Sequence, residues 1–83
     1  MENTYFGNLK TKLIVGCGRV NDCADDKDMN RNHVNYGMVA AFASVVRDMG
    51  HDVDISLWED NGFLRIPKLK IDGQTVIEYH NGK

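Results

Sequence analysis

Thr11-Lys12-Leu13-Ile14-Val15-Gly16-Cys17-Gly18 is the stretch on which the fold reading turns. Three consecutive aliphatic residues without alternation, closed by a glycine-flanked cysteine, predict a short strand buried on both faces in the middle of a sheet. Upstream, residues 1–10 read as an N-terminal arm whose Tyr5 and Phe6 are available to cover a sheet face. Downstream, residues 19–30 turn polar, with Asp22, Asp25, Asp26 and Asp28 crowded around Lys27, and read as a loop.

The strongest periodic signal follows. Val34, Met38, Ala41, Phe42, Val45, Val46 and Met49 recur at three- and four-residue spacing and predict a helix over about 31–49. Asn30 or Asn32 can cap its start through a side-chain oxygen, and Gly50 suits a left-handed position just past its end. The buried stripe is expected to include Met38, Phe42, Val45 and Met49. Gly37, which costs roughly 1 kcal/mol against alanine inside a helix, reads as a close-packing position.

Alternation takes over at His51-Asp52-Val53-Asp54-Ile55-Ser56-Leu57-Trp58, where Val53, Ile55 and Leu57 point one way and Asp54, Ser56 and Trp58 the other. A turn at Glu59-Asp60-Asn61-Gly62 leads into a third strand from Phe63. Its apolar parity breaks at Pro67, between Ile66 and Leu69, which predicts a bulge where proline is tolerated. For the last hairpin, a three-residue loop of Ile71, Asp72 and Gly73 separates apolar from polar residues better than a two-residue one, setting Leu69 opposite Thr75.

The element order is then β-α-β-β-β. A right-handed crossover gives a parallel pair and the tight turns antiparallel ones. The expected architecture is a two-layer α+β domain over residues 1–83: a mixed four-stranded sheet with one main helix on one face. A doubly buried first strand would leave the back of the sheet to Tyr5 and Phe6 or to a second copy, so self-association is expected.

Composition bounds the function. The chain has 83 residues, 42% hydrophobic and 27% charged, with a net charge of −2. That balance argues against a broad phosphate-facing nucleic-acid surface. No apolar stretch approaches the ~20 residues of a membrane span, so a soluble, cytoplasmic chain without membrane contact is expected.

Several patterns touch on site chemistry without completing it. Asp26-x-Asp28-x-Asn30-x-Asn32 imitates half of a calcium loop, but Arg31 stands where the turn needs glycine and Gly37 where the bidentate carboxylate belongs. Gly16-Cys17-Gly18 lacks the helix start that a phosphate-cradling turn needs. His33, His51 and His80 share no zinc-ligand spacing with Cys17 and Cys23, and no serine stands in a nucleophile-elbow context. No metal, cofactor or catalytic residue is expected, and the chain reads as a non-enzyme. The strand order resembles the core of small thioredoxin-fold proteins, the selenoprotein W-like ones in particular, over residues 12–79. That resemblance implies thiol oxidoreductase chemistry at Cys17 and Cys23, although a Cys-x-x-Cys pair is absent. A small-ligand sponge with a pocket between subunits is a third reading.

Charge placement carries the preferred one. Residues 48–64 hold five carboxylates and no lysine or arginine. Trp58 lies among them, as an apolar anchor that can dock on a protein while carboxylates steer the encounter. Asp52, Asp54, Trp58, Glu59 and Asp60, with Asp25, Asp26 and Asp28, are the expected partner-binding residues. The partner would be a protein with a basic surface, such as one that holds nucleic acid, and binding would occlude it. The expected role is that of an inhibitor of the type phages use against host or defence enzymes.

Overall fold

The Leu13-Ile14-Val15 run lies inside a helix. A computed structural model describes residues 4–78 and shows α1 (Thr4–Asp25), α2 (Met29–Asp48), β1 (Val53–Asp60), β2 (Phe63–Ile71) and β3 (Gln74–Glu78). The order is α-α-β-β-β, and the sheet is three-stranded, antiparallel and ordered β1-β2-β3. This overturns the β-α-β-β-β reading, its mixed four-stranded sheet and the likeness to a thioredoxin core. The expected arm over residues 4–10 and the expected loop over 19–25 are both turns of α1.

The physical reason is a stripe that the aliphatic run conceals. Leu9, Leu13, Cys17, Val20 and Ala24 recur every three or four residues, and all five are buried. Ile14 is half-buried and Val15 exposed, so the three aliphatics diverge around a helix axis. No doubly buried strand demands a second cover. The argument for self-association that rested on it falls away, Tyr5 is exposed, and Phe6 stacks on His51 with ring centroids 3.7 Å apart.

Helix α2 forms where periodicity placed it, two residues earlier at its start. Its N-cap is Asp28, whose carboxylate accepts from the Arg31 backbone N–H at 3.2 Å. Gly50 takes the left-handed position after the helix, with φ of 97°. The buried stripe is Asn32, Val39, Ala43 and Val46, turned by one residue from the expected Met38-Phe42-Val45-Met49. Met38 and Val45 are exposed, while Phe42 and Met49 pack at the margin of the core. Small residues face α1 because the helices approach closely. A Cβ on Gly16 would stand 2.7 Å from Val39 Cγ2, whereas one on Gly37 would meet nothing within 4 Å. Gly16, not Gly37, is the close-packing glycine.

Both hairpins turn on two residues with positive φ, Asn61-Gly62 (53° and 88°) and Asp72-Gly73 (52° and 82°). Such turns match the twist of the strands they join. Ile66 and Pro67 together oppose Leu57, since Trp58 pairs with Arg65 and Ser56 with Lys68. The expected bulge is there, at the proline. The three-residue loop is not: Ile71 pairs with Gln74 directly, and a second irregularity, at Val76, brings Leu69 opposite Ile77 and Lys68 opposite Glu78. That bulge does the sorting of apolar from polar that the longer loop was expected to do.

The core joins Leu13, Val20, Val39 and Val46 of the helix pair to Val53, Ile66, Leu69 and Ile71 of the sheet. Two buried asparagines cross the same boundary. Asn21 donates from Nδ2 to the Ile66 carbonyl at 3.0 Å and accepts the Ile66 N–H at Oδ1 at 2.8 Å. Asn32 does the same with Leu64, at 2.8 Å each way, and its Nδ2 also donates to the Val20 carbonyl at 2.8 Å. The first half of β2 has no β3 partner, and these carboxamides take the place of one.

Candidate functional site

Strand β1 is an edge strand, and its second half is where the molecule offers most to a partner. Leu57 and Trp58 are 48% and 47% exposed, and Asp54, Glu59 and Asp60 beside them are exposed as well. Across the sheet the strand is paired with β2, with Trp58 opposite Arg65, Glu59 opposite Leu64 and Asp60 opposite Phe63. On its outer edge the backbone is closed off only at the start, where the Arg47 Nε and Nη2 both donate to the Val53 carbonyl, at 3.2 and 2.7 Å. Antiparallel alternation turns the backbone groups of Ile55, Leu57 and Glu59 to that same edge, while the exposed side chains of Leu57 and Glu59 stand on one face of the strand and those of Trp58 and Asp60 on the other.

The hairpin that carries this surface is braced from behind. His33 Nε2 donates to the Gly62 carbonyl at 2.7 Å, and Lys27 Nζ sits 5.7 Å from the Phe63 ring centroid. The Arg65 guanidinium, 14% exposed, lies 2.8 Å from an Asp25 carboxylate oxygen. The brace fixes the strand without covering its outer side.

The eight expected site residues therefore divide. Asp54, Trp58 and Asp60 share one face of β1 by alternation and Glu59 lies on the other with Leu57, all of them exposed. Asp52 precedes the strand, its backbone N–H bound by Asp72 Oδ1 at 2.9 Å. Asp25 and Asp28 do structural work, one against Arg65 and the other as the α2 cap, and Asp26 is exposed in the turn between the helices. Leu57, expected on the buried face, belongs to the exposed surface instead.

The other sequence patterns dissolve into the helices. Asp28, Asn30 and Asn32 run through the start of α2, with Asn32 buried against β2, so they do not share a cation loop. Cys17 and Cys23 lie on α1 with five residues between them. A helical rise of about 1.5 Å per residue separates them by roughly 9 Å along the axis, beyond the ~7 Å limit for a disulfide. Burial pushes the Cys17 thiol up to about 11. Among the described residues no three metal-ligating side chains converge, and no helix is long and apolar enough to cross a membrane. His80 lies outside the described residues.

On the far side of the helix pair, a groove of about 290 Å³ runs between α1 and α2, with Val15, Gly16, Met38 and Phe42 on its apolar part and Lys12 and Arg19 on its rim. A second compartment of about 340 Å³ continues past Arg19 to Arg31, Asp22 and Cys23. Comparison with family models, curated proteins and solved structures finds no match for this chain.

Proposed function

We propose that this protein works by binding a partner protein with a basic surface through the β1 edge, and that binding occludes that surface. The observation that supports the reading is the half-exposed Leu57-Trp58 pair on a braced edge strand, set among Asp54, Glu59 and Asp60 with no cation in the same segment. Aromatic anchors supply most of the affinity at such surfaces, and flanking carboxylates set encounter rate and orientation.

The experiment is affinity capture from cell extract with the wild-type chain and with an Asp54→Lys/Trp58→Ala/Glu59→Lys variant. The reading expects basic proteins retained by the wild type, released by salt and absent from the variant. Equal capture by both chains, or capture indifferent to salt, removes it. All three positions are exposed, so the variant is expected to remain folded, and circular dichroism checks that it does.

A further inference from the structure

The helix groove and the β1 edge are complementary in both chemistry and charge. The groove is lined by apolar Val15, Met38 and Phe42 and by the cations Lys12 and Arg19, with no carboxylate among its lining residues. The β1 edge offers Leu57 and Trp58 with Glu59 and Asp60 next in sequence. No residue of the sheet lines the groove, and β1 is held in place by its pairing with β2.

From this complementarity we propose that a second copy of the chain occupies the groove, inserting its Trp58 edge between α1 and α2. The inference rests on the reading of the β1 edge as a docking surface and names a partner for it. Asp22 stands beside Arg19 and Arg31 in the second compartment, and Asp28 lies 3.7 Å from Arg31. Lys12 has no carboxylate beside it in the groove lining, and the Lys12 end receives Glu59 and Asp60. The two faces in contact are different, so the association is head-to-tail and each copy keeps one edge and one groove unused. Such contacts build rings or open chains instead of stopping at a closed pair. Assembly also hides the edge that the proposed function needs, so the assembled form stores the protein and dilution releases it.

Head-to-tail geometry permits a complementation test. Trp58→Ala removes the edge and keeps the groove; Arg19→Glu spoils the groove and keeps the edge. In sedimentation velocity the wild type is expected to grow with concentration into dimers and larger species, and raising salt from 50 to 500 mM should weaken this roughly tenfold. Each variant alone stays monomeric, and their equimolar mixture forms a dimer and nothing larger. Trp58 is the sole tryptophan, so its emission in the mixture comes only from the Arg19→Glu chain and should shift to the blue on mixing. Lys12→Glu with Glu59→Lys/Asp60→Lys gives a second mixing pair that leaves Trp58 in place. A wild type that remains monomeric to millimolar concentration, or variant mixtures that do no better than their components, overturns the proposal. If the wild type stays monomeric while the Asp54→Lys/Trp58→Ala/Glu59→Lys variant still loses its captured protein, the self-docking inference fails and the function stands. If that variant captures as before, the docking reading of the edge fails as well.

Discussion

Asn21 and Ile66 form a two-way pair across the helix–sheet boundary, the carboxamide donating to the Ile66 carbonyl and accepting its N–H. With Asn32 on Leu64, this makes a side-chain substitute for a missing strand. Both asparagines are buried, as is Ile66, so the Ile66 backbone groups have no access to water if the Asn21 carboxamide is removed.

Asn21→Ala should therefore cost more than a surface hydrogen bond. A stranded, buried polar group costs roughly 1–3 kcal/mol, and Ile66 would have two. Asn32→Ala should cost at least as much, since Asn32 also serves Val20. Asn21→Asp keeps the shape but sets a carboxylate oxygen against the Ile66 carbonyl, and should be as harmful. Urea denaturation measures all three, and a loss below about 0.5 kcal/mol for Asn21→Ala would mean that the boundary is wetter than described.

The glycines of the helix pair should respond in opposite directions to alanine. A Cβ on Gly16 meets Val39 Cγ2 at 2.7 Å, while Gly18 and Gly37 have nothing within 4 Å. Gly18→Ala and Gly37→Ala should each stabilise by roughly 0.5–1 kcal/mol through helix propensity. Gly16→Ala should destabilise by about 1–3 kcal/mol through overpacking, and the cost should shrink in a Val39→Ala background. Equal gains at all three positions would place the helix crossing elsewhere.

These same residues explain what the sequence could and could not disclose. The hairpins were legible because Asn61-Gly62 and Asp72-Gly73 each end an alternating run, and the bulge at Pro67 because apolar parity breaks there. Helix α2 was legible as a helix but not in its rotation. Met38, Phe42 and Val45 outweigh Val39 and Ala43 in any hydrophobic count, yet a close crossing selects the smaller stripe. Helix α1 was hidden twice over. Its buried stripe includes Cys17, Ala24 and, one position off, Asn21, which read as polar or neutral. Its three internal glycines, at 7, 16 and 18, imitate the punctuation of a strand. A buried asparagine is the hardest of these to foresee, because its partner is backbone from a distant strand. The exposure of Trp58 and of the β1 carboxylates was legible from alternation and charge alone. The groove was not, since it needs two helices and only one was foreseen.

The two thiols should be chemically distinct. Cys17 is fully buried, and its thiol is held protonated up to about 11; Cys23 is half-exposed, with Asn35 Nδ2 3.7 Å from its sulfur. At pH 8 one thiol, Cys23, should react with a disulfide reagent on mixing, and Cys17 only as fast as the chain unfolds. A raised folded-state value contributes stability that is present below the unfolded thiol's ordinary value and lost as pH climbs through the folded one. The wild type should accordingly lose stability between about pH 9 and 11. Fast reaction of both thiols in the folded chain would contradict the burial of Cys17.

The last relationship is a carboxylate that ties the second hairpin to the entry of β1. Asp72 Oδ1 accepts the Asp52 N–H at 2.9 Å, and Oδ2 accepts from His51 Nδ1 at 2.8 Å. The Asp72 N–H donates in turn to the Asp52 carbonyl at 2.8 Å. The bond from Asp52, then the one from His51, holds the Asp72 carboxyl below its usual range. A depressed folded-state value contributes stability that is full above the unfolded carboxyl's ordinary value and lost as pH falls through the folded one. Asp72→Asn isolates this effect, because asparagine also tolerates the φ of 52° and can still accept from Asp52. The wild type should melt higher than Asp72→Asn at pH 7, and the gap should close as pH falls below 4, where the protonated carboxyl resembles the amide. His51→Ala should remove only part of the gap, since the Asp52 N–H bond is the larger cause and survives it. Melting curves from pH 2 to 7 decide the matter, and a gap that stays constant across that range would show that the Asp72 charge does not hold the hairpin.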